Sequence, residues 1–175
     1  MSATAVARSH HWGAWSGGAL LMGSALIAVK SLAILITGDE PQLIFEISPF
    51  FLGVGMLLVA PALSLEGPRR RAVPALALTS LVAGAVAGVT ELTGEVFGPA
   101  IAVATLSAIV AAVVSGWRPA GDPRKRALLL VGIAVVPALV IGGILSEFNE
   151  RLLEVGLLAY AAAWALAGFR MLGRG

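Results

Sequence analysis

The chain has 175 residues, 58% of them hydrophobic and 13% charged, with a formal net charge of +2. Globular domains carry about a quarter charged residues, and a water-soluble fold could not hide this much apolar surface, so that class is excluded. The chain contains no cysteine, which removes disulfides, thiolate metal sites and iron–sulfur clusters together.

The apolar residues come in blocks of about twenty, the length a helix needs to cross ~30 Å of hydrocarbon at ~1.5 Å per residue. The first block runs from near 12 to 37, after Arg8. It exceeds the ~7–15 residues of a signal-peptide core and no small-residue cleavage site follows it, so it is expected to be a retained helix. After the break Gly38-Asp39-Glu40-Pro41-Gln42, a second helix is predicted near 43 to 65. Past Glu66-Gly67-Pro68 and Arg69 to Arg71, a third is predicted near 72 to 91, and after residues 92–96 a fourth near 97 to 117. The break from Arg118 to Arg126 precedes a fifth near 127 to 146, and Glu147 to Arg151 precedes a sixth near 152 to 170. The predicted fold is all-α: a polytopic membrane helical bundle of six transmembrane helices in one domain spanning 1–175. The short breaks make successive helices antiparallel, giving three hairpins.

Basic residues in short loops stay on the cytoplasmic side of a membrane. Arg8, Arg69, Arg70, Arg71, Arg118, Arg124, Lys125, Arg126, Arg170 and Arg174 all fall on one side of this topology, leaving Arg151 opposite and Lys30 inside a helix. Both termini are therefore expected to be cytoplasmic. Trp12, Trp15 and Trp117 fall at the same boundary, where amphipathic rings sit at headgroup depth. Asp39, Glu40, Glu46, Glu91, Glu95, Glu147, Glu150 and Glu154 lie at the outer ends, with only Glu66 and Asp122 inside. Acidic residues contribute little to orientation, so this outer rim is an excess that the topology rule does not require. Of twelve basic residues only Lys30 and Lys125 are lysine, and the helices are dense in Ala, Val and Gly. That bias points to a GC-rich bacterial genome and a multi-pass protein of the bacterial cytoplasmic (inner) membrane.

A faint repeat runs through the chain. Pro68-Arg69-Arg70-Arg71-Ala72 is echoed by Pro123-Arg124-Lys125-Arg126-Ala127, Thr37-Gly38 by Thr93-Gly94, and Thr90-Glu91 by Ser146-Glu147. The period of about 55 residues matches one hairpin, so the chain is either three tandem hairpins or a set of similar low-complexity helices.

Lys30 stands seven residues before Thr37, inside the first predicted span. A lysine at mid-membrane costs about 2.5–3.5 kcal/mol even on lenient scales, and intramembrane charges tend to pair or to serve a function. Glu46, at the outer start of the second helix, is within the reach of a rising ammonium. A Lys30–Glu46 pair is one reading, a Lys30 that lines a cavity and meets an anionic ligand or a proton is a second, and simple snorkelling toward the interface is a third. Ser16, Gly23, Lys30 and Thr37 recur every seven residues, a small and polar stripe that belongs against other helices. Ser80, Gly84, Gly88, Glu91 and Glu95 form a second stripe. Glu91 and Glu147 occupy equivalent repeat positions. In a ring of hairpins they would meet as a carboxylate mouth attracting cations or protons, whereas the plainer alternative is a solvated rim. Lys30, Glu46, Glu91 and Glu147 are thus the candidate ligand or ion-pathway residues.

Catalytic machinery is sparse. His10 and His11 are adjacent before the first predicted helix, which leaves no histidine within the membrane for haem or for a serine's base. Asp39 and Asp122 lie on opposite sides, and no Gly-rich phosphate loop is present. No catalytic residue, metal or cofactor is expected, an enzyme would have to rely on Glu91 or Glu147, and nucleic acid is not an expected partner. Two functions remain: a small transporter, channel or solute-capturing subunit with an acidic outer mouth, or a non-catalytic accessory or assembly subunit. Besides the lipid bilayer, the partner would be a membrane protein or a second copy docked through Gly/Ala stripes.

Overall fold

The structure, a computed structural model, describes residues 3–39, 41, 47–95, 97–119 and 121–173. Its regular elements, in chain order, are α1 (Ala3–Thr37), α2 (Ser48–Ala62), α3 (Arg69–Leu92), α4 (Gly98–Gly116), α5 (Pro123–Ser146), a 3₁₀ turn (Glu150–Leu152) and α6 (Leu153–Leu172). The described residues contain no strand.

Local sequence accounts for most helix ends. α2, α4 and α5 begin with a proline in their first turn, where the missing N–H is no loss. α1 stops at Gly38, whose φ of +83° suits glycine and whose amide donates to the Ile34 carbonyl at 2.9 Å. Asp122 caps α5 by accepting from the Arg124 amide at 2.9 Å. Burial alone would raise the Asp122 carboxyl, but that amide bond, the Arg124 side chain and then Lys125 carry it below the usual carboxylate range. A depressed carboxyl stabilises the fold above its unfolded-chain value and loses that contribution as pH falls through the lowered folded value. Asp122→Ala is expected to cost about 1 kcal/mol at neutral pH, with the gap to wild type closing in acid. Thermal unfolding in detergent at both pH values checks this.

Two boundaries differ from expectation. α1 starts at Ala3, so His10 and His11 lie within the helix. A hydrogen-bond ladder is not ended by the membrane surface, and no glycine or proline interrupts residues 3–12. α2 has only 15 residues, about 22 Å of helix, against the expected 43 to 65. Residues 43–46 lie outside the described residues, and at the other end Pro61 is followed by Ser64 at φ +47°. Five helices, α1 and α3 to α6, are long and apolar enough to cross a membrane, and α2 is a shorter apolar helix.

Each helix packs against the next, and α1 packs on α6, closing a ring that α2 and α4 cross by touching each other. Small residues set the close approaches. A methyl on Gly53 would meet the Leu81 backbone at 2.7 Å, and one on Gly116 would meet the Leu129 amide and the Lys125 carbonyl at 2.5 Å. Ser80 donates to the Pro49 carbonyl at 3.2 Å. One continuous apolar cluster fills the interior, with Trp164, Leu20, Leu52, Met56, Leu128 and Val131 all sealed. Outside it, Ile36, Val89, Leu106, Ile133, Val136 and Ile144 are more than half exposed. Such a surface suits lipid rather than water, and the molecule is built as a membrane-embedded helical bundle.

Its two ends differ in charge. The Arg69 guanidinium donates to the Trp117 carbonyl at 2.8 Å, tying the first residue of α3 to the residue just past α4 at the end that also holds Arg70, Arg71 and Arg118. At the other end, where Asp39, Glu91, Glu95, Glu147 and Glu154 fall along the chain, Arg151 packs over Gly38.

A candidate site beneath the acidic end

α1 carries two faces, each built on a seven-residue spacing. Along the first, Ser16 donates to the Gly55 carbonyl at 2.9 Å, and a methyl on Gly23 would meet Leu52 at 2.7 Å and the Ser48 carbonyl at 3.1 Å. This face meets α2, and Lys30 continues it, only 6% exposed. Along the second face, a methyl on Gly17 would meet the Gly168 carbonyl at 2.7 Å and Leu172 at 2.8 Å, while Gly38 lies under Arg151. Ser24 and Ser31 fall between these glycines at the same spacing, so this second face meets α6.

α6 answers with Glu154, Ala161 and Gly168, also seven apart and all buried. The two helices run antiparallel. Counting inward from the Gly17–Gly168 and Gly38–Arg151 contacts brings Ser31 opposite residues 154–158 of α6. Ser31 is fully buried and Glu154 is 7% exposed, and neither the Ser31 hydroxyl oxygen nor the Glu154 Oε2 has a hydrogen-bond partner. Two enclosed oxygens, one on a carboxyl group, therefore lie at about the same level of one helix interface, a turn below the acidic end. Buried polar atoms without partners are uncommon and call for an occupant or a role.

Of the residues singled out from sequence, Lys30 is buried and engaged, whereas Glu46 lies outside the described residues, so a Lys30–Glu46 pair does too. Glu91 is half-buried in the last turn of α3, and Glu147 is exposed just past α5. α3 and α5 do not touch, because α4 stands between them. Among the described residues no group of three His, Cys, Asp or Glu converges as a metal site would require.

The sequence marked Glu154 only as one of the outer-end carboxylates, in a mouth or a solvated rim, and did not single out Ser31, Tyr160 or Trp164. Tyr160 is the only tyrosine and lies about 10 Å into α6, far from the headgroup depth where such rings usually sit. That was a legible signal. Its ring meets Trp164 edge-on at 6.1 Å. Tyr160 also lines a cavity of about 110 Å³ between α4, α5 and α6, with Thr105, Leu106, Ile109, Val135, Ala138, Leu153, Gly156 and Leu157. None of the four candidates lines it.

No protein-family profile matches the chain, nor does any curated protein or solved structure.

Proposed function

We propose that the chain is a small inner-membrane transport protein of carrier type, crossing the bilayer six times with both termini cytoplasmic and taking its solute or ion through the acidic end. The observation that carries this reading is the buried Lys30, 6% exposed, beneath an end rich in carboxylates. A charge kept at that depth costs free energy that an idle position would not retain. The sealed apolar interior argues for an occluding carrier over an open pore, since a water-filled channel needs polar lining. Three tandem hairpins fit this reading, each returning the chain to the basic end.

The test is solute and proton flux in liposomes containing the purified chain. Lys30→Met is expected to lower flux about tenfold or more, the equivalent of ~1.4 kcal/mol in a barrier, with thermal stability retained. Wild-type flux in a folded Lys30→Met protein overturns the proposal.

The packed interior also favours a second reading, an accessory subunit. Ala14, Gly18 and Ala25 are exposed on α1, and Gly18 has open space above it, as a docking face would. No wild-type flux, together with one partner retained in stoichiometric amount through mild detergent, selects this reading.

A further inference from the structure

We infer that Glu154 and Ser31 form a binding site for one small cation, a proton or a monovalent metal ion, between α1 and α6. The inference deepens the transport reading by naming the class of ion, and rests on it for its role, but the site itself stands on the helix interface.

Glu154 is only 7% exposed, its Oε2 is enclosed without a partner, and the same is true of the hydroxyl oxygen of Ser31, which the register places against the same stretch of α6. Glu154 belongs to the first turn of α6, where the helix dipole favours a negative group. That explains the sign of the charge but not its enclosure, because a first-turn glutamate could as readily face outward. The seven-residue repeat of Glu154, Ala161 and Gly168 turns it onto α1 instead. A carboxylate with a free oxygen in an enclosed, apolar interface is left with uncompensated charge, and one bound cation removes it. Both donors are oxygens, the preference of hard cations and of protons, and no thiolate or imidazole is nearby to draw a soft metal.

The charged groups around Glu154 fit this role. From α1, Lys30 stands on the neighbouring face, toward α2. Arg151, in the 3₁₀ turn, is drawn over Gly38 at the mouth. On the α5 side Glu147 is exposed past the helix end, where it raises the local concentration of cations. Entry is therefore from the acidic end, past Glu147 and Arg151.

The experiment is cation binding by the purified full chain in detergent, kept separate from transport. Thermal unfolding is followed in sodium, potassium or choline chloride at equal ionic strength, and the infrared carbonyl stretch of protonated carboxyl groups is recorded on the same samples. A metal-ion site predicts a rise of about 2–4 °C or more in sodium or potassium over choline, lost in Glu154→Gln and reduced in Ser31→Ala. A proton site predicts no ion preference but a protonated-carboxyl band absent from Glu154→Gln. If Glu154→Gln does not fold, Ser31→Ala carries the test through a weakened ion shift or a displaced carboxyl band. Wild-type protein with neither ion-specific stabilisation nor such a band overturns the inference. Binding without liposome flux leaves the site standing and sinks the transport reading.

Discussion

Gly17→Val is expected to open the seam between α1 and α6, whereas Gly18→Val, one residue along, leaves the fold unchanged. A Cβ at Gly17 would meet the Gly168 carbonyl at 2.7 Å, Leu172 Cγ at 2.8 Å and the Leu172 amide at 3.0 Å. Two of these three atoms are backbone and cannot rotate away, so the helices must separate along their length. Overpacking of this kind costs about 2–3 kcal/mol. Gly18 is exposed and an added Cβ meets nothing within 4 Å, so valine there has open space. Unfolding in a denaturing detergent series measures both variants, and equal stability of the two would contradict the observed register of α1 on α6.

Removing Trp164 is expected to be the most damaging side-chain truncation. It is fully buried, the bulkiest such side chain among the described residues, and sits in the cluster shared with Leu20, Met56 and Leu128. Trp164→Ala leaves a void that rigid helices fill poorly and costs about 3–5 kcal/mol. Trp164→Phe keeps most of the ring volume. The expected cost is about 1–2 kcal/mol. The same unfolding series separates the two, and near-equal losses would contradict a cost set by the volume removed.

The membrane class and most helices were legible because hydropathy and length act on each segment alone. The helix from Arg69 to Leu92 differs from the predicted 72 to 91 by a few residues, since neither charge nor the surface of a bilayer stops a hydrogen-bond ladder. The Ser16–Gly23–Lys30–Thr37 stripe was legible in part, as a seven-residue spacing of small and polar residues: Ser16 and Gly23 do face α2, whereas Thr37 is exposed at the end of α1. Which helices meet was not. Glu91 and Glu147 looked equivalent by repeat position, yet α4 separates α3 from α5, and ring order is a property of packing rather than of spacing. Glu154 lies within a turn of a loop, where a glutamate can reach water, and that made a solvated rim its plainer expectation. Its own stripe through Ala161 and Gly168 carried the contrary signal, as small residues seven apart mark a face that meets a neighbour.

The pairing of α1 with α6 has a consequence for how the protein is made. Synthesis proceeds from the N-terminus, so α1 leaves the ribosome with its α2 partner close behind it but with the Gly17–Ser24–Ser31 face bare until the final helix arrives. Through most of translation the polar groups of that face look onto lipid or onto whatever escorts nascent chains. A message truncated before Leu153 yields a protein whose first helix never finds its last, a form that cellular quality control can recognise by that exposed seam.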